Sequence, residues 1–244
     1  MNKILTSLSL TLLTTTTFAQ IKFAPEAGLN MAMQNTKTKI TDIAQGSTES
    51  SKLSPGAFGG VMGDLKLHKK MYLQAGIFYY YDNIKYASEV DLSAYQLGTP
   101  SLVRYDRIHS FRLPVYLMYK SGFEGSGRFM AGIGPYVNYS FSGNRALQVP
   151  FIIYDSASHK VSNYTIRKSN TDLKMGDQAF KDDVRNWDFG LNACIGYESN
   201  VGLYFRGTFS YGLLNQDPAN TDNYKVKNWG MGISIGYLIG KDSW

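Results

Sequence analysis

The 244-residue chain has one cysteine, three histidines, three tryptophans and seven prolines. A lone Cys194 excludes a disulfide scaffold. No run of about 18 consecutive apolar residues occurs, and the mean hydropathy is −0.24, which excludes a helical membrane bundle. Charged residues are also scarce, at 18%, against roughly 25% in an average soluble domain. His68, His109 and His159 lack metal-ligand spacing and there is no second cysteine to assist them, so no metal site is expected. No glycine loop of the phosphate-binding kind occurs, and no cofactor is expected.

Aromatic and small residues are abundant instead, with 18 Tyr, 13 Phe and 24 Gly. The net charge is +6. The basic residues are scattered rather than clustered, which argues against a nucleic-acid partner and leaves anionic lipid headgroups as the natural contact of basic loops.

Residues 1–19 read MNKILTSLSLTLLTTTTFA. Lys3 followed by an apolar stretch from Ile4 to Leu13, with Thr17 and Ala19 as small residues before a break, predicts a signal peptide cleaved before Gln20. Four successive threonines disfavour the alternative of a buried N-terminal helix. No cysteine lies near the predicted cleavage point, so a lipoprotein is not expected.

Residues 20–244 alternate with period 2 in eight segments: Phe23 to Met33, Ala57 to Leu67, Met71 to Tyr81, Phe111 to Tyr119, Phe129 to Phe141, Trp187 to Tyr197, Leu203 to Leu213 and Trp229 to Ile239. Each is near the 9–11 residues that a tilted strand needs to cross a bilayer. A soluble barrel alternates as well. Two features favour the membrane form. The polar faces hold mostly Gly, Ser, Asn and Ala, as a narrow lumen requires, and aromatics gather at segment ends as interfacial girdles do. Short connections at 68–70, 120–127 and 198–202 alternate with long ones at 34–54, 82–104, 144–185 and 214–227. The expected fold is therefore all-β: an eight-stranded antiparallel up-and-down transmembrane β-barrel with short periplasmic turns and long extracellular loops. The loops are rich in Ser, Thr, Asn, Asp and Lys and are expected to need no packed core.

The stretches KFAPEAGLNMAM (22–33), FRLPVYLMYK (111–120), GIGPYVNYSFSG (132–143), DFGLNACIGYE (188–198), FRGTFSYGLLN (205–215) and GISIGYL (232–238) resemble, in order and spacing, the PorT-like family of small outer-membrane β-barrel proteins. The long 144–185 loop and the tail through Trp244 depart from the family pattern. The resemblance implies the barrel fold and the outer membrane of a Gram-negative bacterium. It also implies a link to protein secretion, for which one member gives the family its name.

Gly232-Ile233-Ser234-Ile235-Gly236 is a literal G-x-S-x-G, but a nucleophile elbow needs a strand-to-helix turn, and here the serine sits inside an alternating strand. No histidine has a triad signature around it, so no catalytic residue is assigned. Inward parity carries Glu26, Asp64, Lys66, Arg112, Asp188 and Arg206. Buried charges must be paired, so Glu26 and Asp64 are expected to face Arg112 and Arg206 in a structural lumen network. The function expected is that of a non-enzymatic outer-membrane component, in contact with lipid and lipopolysaccharide and with envelope or secretion proteins. An outer-membrane enzyme acting on lipid A or peptides, an adhesin using the 144–185 loop, and a passive pore are the alternatives.

Overall fold

Where period-2 alternation runs long and prolines are few, the backbone can meet its hydrogen-bonding needs only through neighbouring strands, and in lipid only through a closed set of them. The computed structural model describes residues 21–38, 50–89, 100–123, 126–155, 160–219 and 224–240. The predicted export segment and Trp244 lie outside the described residues. The strands are β1 (Ile21–Thr38), β2 (Ser50–Lys52), β3 (Ser54–His68), β4 (Met71–Glu89), β5 (Ser101–Phe123), β6 (Gly127–Asp155), β7 (Lys160–Asp172), β8 (Trp187–Glu198), β9 (Leu203–Gly212) and β10 (Tyr224–Tyr237). All pairings between them are antiparallel.

Following the hydrogen bonds from β1 through β3, β4, β5, β6, β8, β9 and β10 returns to β1, which makes a ring of eight strands. β2 and β7 stand outside the ring, on β4 and β6 respectively. The ring leaves no unpaired edge at membrane depth. Alternation sorts the residues. Leu29, Ile77, Leu117, Ile133, Ile195 and Ile233 are exposed on the wall, while Met62, Phe78, Met118 and Tyr136 are fully buried inside. This is the inverted pattern of a membrane barrel.

The long connections differ from the expectation of coreless loops. β4 continues to Glu89, β5 begins at Ser101, and β6 runs on to Asp155 before returning as β7. Ile84, Tyr86, Ile108, Leu173 and Val184 form a second hydrophobic cluster above the main one, with Ala32 and Met175 against it. A bulge hides this continuity in the sequence. Ser110 faces Ser140 while His109 faces Ser142, so Phe141 is the extra residue and the facing of β6 reverses beyond it. Gly143, Arg145 and Leu147 thereby continue the inward side, with Gly143 directly beneath Met175 and Leu173.

Candidate functional site

The barrel interior concentrates charge. Small residues such as Gly28, Asn138, Gly190 and Ser234 line much of it, as expected, but large rings stand among them. Phe58, Tyr72, Phe78, Tyr116, Tyr136 and Tyr204 all point inward and are buried. Glycines make room for them. A side chain at Gly28 would meet the Phe58 ring at 2.7 Å, and Gly190 and Gly236 lie against the rings of Tyr136 and Tyr204. An eight-stranded lumen is just wide enough to be filled by side chains, so large residues on one strand require small ones opposite.

Between the rings lie ion pairs in tiers. At the end bearing the short turns, Lys120 Nζ donates to Asp64 at 2.6 Å and to Glu198 at 3.0 Å, and Arg128 donates to the other Glu198 oxygen at 2.5 Å and to Tyr72 Oη at 2.7 Å. One tier further in, Arg206 pairs with Glu26, which also accepts from Tyr204 Oη at 2.8 Å and Ser234 Oγ at 2.6 Å. Arg206 also donates to Gln74 at 3.2 Å. Above this, Arg112 lies over the Tyr80 and Tyr136 rings at 4.1 and 4.8 Å, donates to Asn138 at 3.3 Å and stands 3.9 Å from Asp82. Asp188 accepts from Tyr136 Oη and Asn228 Nδ2, each at 3.1 Å.

Of the predicted lumen charges, the structure brings Arg206 to Glu26. It does not bring Arg112 to either predicted acid, and Asp64 meets Lys120 rather than an arginine. The reason is height. Alternation places all of these groups inside but says nothing of their level along the axis, whereas register puts Arg112 opposite Phe78, well above Asp64, which pairs opposite Gln74. Lys66, at the turn end, is exposed.

Lys120, Arg128, Glu198 and Asp82 escaped the sequence reading. Each stands one residue beyond the end of a recognised alternating segment, on inward parity. Extending every segment by one residue would have found all four.

Above the ring, Arg145 grips Asp106 with Nε at 2.8 Å and Nη2 at 3.1 Å, and reaches Asp183 at 3.3 Å. Burial works against the Arg145 charge, but the hydrogen bonds and the charges of Asp106 and Asp183 outweigh it and raise its pKa above the usual arginine value. Residues 173–186 fold over the barrel mouth, held by Leu173 N to Gly143 O at 2.9 Å, Arg185 N to Gln216 O at 3.1 Å and Asn186 Nδ2 to Ser140 O at 2.9 Å. Beneath this cap is a polar cavity of about 50 Å³, lined in part by Asn30, Asp82, Arg112, Asn138, Ser210 and Asn228. It has room for a few waters and no more.

The remaining candidates disperse. Ser234 is a buried lumen residue bonded to Glu26. His68 is exposed as the last residue of β3, and His109 sits on the outer wall with Nδ1 2.5 Å from Tyr79 Oη. His159 lies outside the described residues. Among the described residues no group of His, Cys, Asp and Glu could hold a metal ion.

A closed antiparallel ring, apolar outside and charged inside, defines an integral outer-membrane barrel. Residues 18–244 match the outer membrane protein β-barrel domain family, and the chain belongs to it, which places the protein in the Gram-negative outer membrane. Solved barrels of similar outline include OprG of Pseudomonas aeruginosa, with 12% identity, 90% of this chain and 96% of that one covered, and a TM-score of 0.43. Neisserial surface protein A is 10% identical, with 88% and 96% covered and a TM-score of 0.35. Ail, the attachment invasion locus protein of Yersinia pestis, is 8% identical, with 88% and 98% covered and a TM-score of 0.31. No curated protein matches the sequence.

Proposed function

We propose that this barrel is a non-enzymatic and non-conducting component of the outer membrane that acts through its extracellular sheet, as a docking platform for other envelope proteins in secretion or surface assembly. The carrying observation is the pairing of a sealed lumen with a built extension. Ion-pair tiers and aromatic rings fill the interior, residues 173–186 cover its mouth, and β4 to β7 continue beyond the ring as a paired sheet rather than loose loops. β6 runs some 14 residues past Phe141, on the order of 45 Å of strand at about 3.3 Å per residue. A sheet of that reach suits recognition, since binding residues on a rigid frame lose little entropy when they engage a partner. The PorT-like resemblance agrees with a secretion role, and residues 1–19 act as the cleaved export signal that brings the chain to the envelope.

Quantitative proteomics of the cell surface, periplasm and medium from a deletion strain and its complemented control tests this reading. Specific exported proteins should leave the surface and accumulate in the periplasm. An unchanged exported proteome would defeat the secretion role.

Phe180 favours a second reading, adhesion through the 144–185 region. It is 92% exposed with a left-handed backbone (φ 63°), on a turn tied by Gln178 N to Asp182 at 2.8 Å and Lys174 N to Asp183 at 3.0 Å. An aromatic held out by a rigid turn is the form of an interface anchor. Deleting the turn and measuring surface binding discriminates the two.

A further inference from the structure

We infer that the outer wall of β4 and β5, just above the extracellular aromatic girdle, is a binding site for the phosphorylated headgroup of an outer-leaflet glycolipid, held by Arg107 and Lys85. Register fixes the geometry row by row. Tyr81, His109 and Ser142 share one row, Asn83, Arg107 and Asn144 the next, and Lys85, Tyr105 and Ala146 the one above. The lowest of these rows belongs to a girdle in which Tyr79, His109, Phe111 and Phe141 touch one another, with ring centroids 5.2 to 6.5 Å apart. Such a belt marks the level where acyl chains give way to headgroups. Arg107 therefore stands about 7 Å of strand above that boundary and Lys85 about 14 Å above it, at the height of lipid phosphates.

The two cations are diagonal neighbours on adjacent strands, roughly 7–8 Å apart at the backbone, so both side chains can converge on one phosphate. Arg107 is exposed, and the half-buried Lys85 holds its ammonium 5.4 Å over the Tyr105 ring on the same outward face. Outward positions on β4, β5 and β6 from the girdle up to Ala87, Val103 and Gln148 carry no acid among the described residues. Asp172 stands two strands from Arg107, beyond Asn144, about 10 Å away. Arginine supplies a planar fork for phosphate oxygens and lysine a point charge. The charge is thus of one sign, at headgroup height, directly over an apolar wall that receives the acyl chains.

The test uses the folded full-length barrel in detergent, titrated with bis-phosphorylated lipid A, its dephosphorylated counterpart, phosphatidylglycerol and inorganic phosphate, with retained lipid counted by native mass spectrometry. Wild type should retain bis-phosphorylated lipid A, and the double variant Lys85→Ala/Arg107→Ala should bind it about 30-fold more weakly, the combined effect typical of two cations at an anionic surface. Lys66→Ala, at the turn end, should bind as wild type, and the heat-modifiable gel shift of each variant reports that the barrel is folded. Equal retention by the double variant, or equal retention of the dephosphorylated lipid by wild type, would overturn the site. Equal retention of phosphatidylglycerol, or displacement of lipid A by inorganic phosphate, would overturn the choice of a glycolipid headgroup.

Discussion

The Lys120 ammonium lies 3.0 Å from the Glu198 carboxylate inside the barrel, at the end where the strands are joined by short turns. Both groups are almost fully shielded from solvent, and Asp64 completes the tier at 2.6 Å. Removing the cation takes from Asp64 the ammonium at 2.6 Å, whereas Glu198 keeps Arg128. Lys120→Met should therefore destabilise the barrel by about 3–5 kcal/mol, read from urea-driven unfolding by tryptophan fluorescence. A change within experimental error would mean that the tier contributes no net stability.

The Glu26–Arg206 pair should show strong coupling. In a double-mutant cycle of Glu26→Gln and Arg206→Met, the double variant is expected to be more stable than the sum of the single losses implies, by about 2–3 kcal/mol. Additive losses would show that the two side chains do not depend on one another.

Glycines on the two faces should respond in opposite ways. A side chain at Gly28 would collide with Phe58 and with the Ile233 carbonyl, whereas one at Gly207, on the lipid side, would find nothing nearer than 3.9 Å. Gly28→Val is expected to cost about 1–3 kcal/mol through overpacking, while Gly207→Val should be neutral or stabilising. Thermal melting followed by gel mobility separates the two, and equal effects would undermine the assignment of faces.

Ile233 is 68% exposed on the wall, and it pairs with Leu29 and Gly207 midway along the ring. Ile233→Lys should cost about 2–4 kcal/mol in a bilayer, as expected of a cation near the midplane. The same substitution in a protein with water outside would cost little, so the outcome reports directly on the solvent.

Planar-bilayer recording should show no sustained conductance from the wild type, because charge tiers and rings occupy the lumen. Steady openings of nanosiemens size would restore the pore alternative.

Much of this structure was legible because period-2 alternation is a local property. All eight ring strands, their inward and outward faces and the Glu26, Asp64, Arg112 and Arg206 positions inside could be read residue by residue. The extracellular sheet was not legible in the same way. Its segments mix polar residues with apolar ones such as Ile84, Ile108 and Phe151, the Phe141 bulge reverses the pattern in mid-strand, and β7 is recognisable only through its pairing with β6. The phosphate-facing pair of Arg107 and Lys85 was equally hidden, since 22 residues of chain separate groups that register makes neighbours.

The sequence by itself determined that each strand has two unlike faces, because alternation is a property of one strand and needs no partner, and the aromatics at the segment ends turned the apolar face toward lipid. Only the tertiary structure decided which charges meet. Arg112 selects Asp82 and two tyrosine rings, and Lys120 takes Asp64 and Glu198, because ion pairing in a filled lumen depends on height along the axis and on strands far apart in the chain. Those quantities are set by register and closure, and alternation carries no record of either.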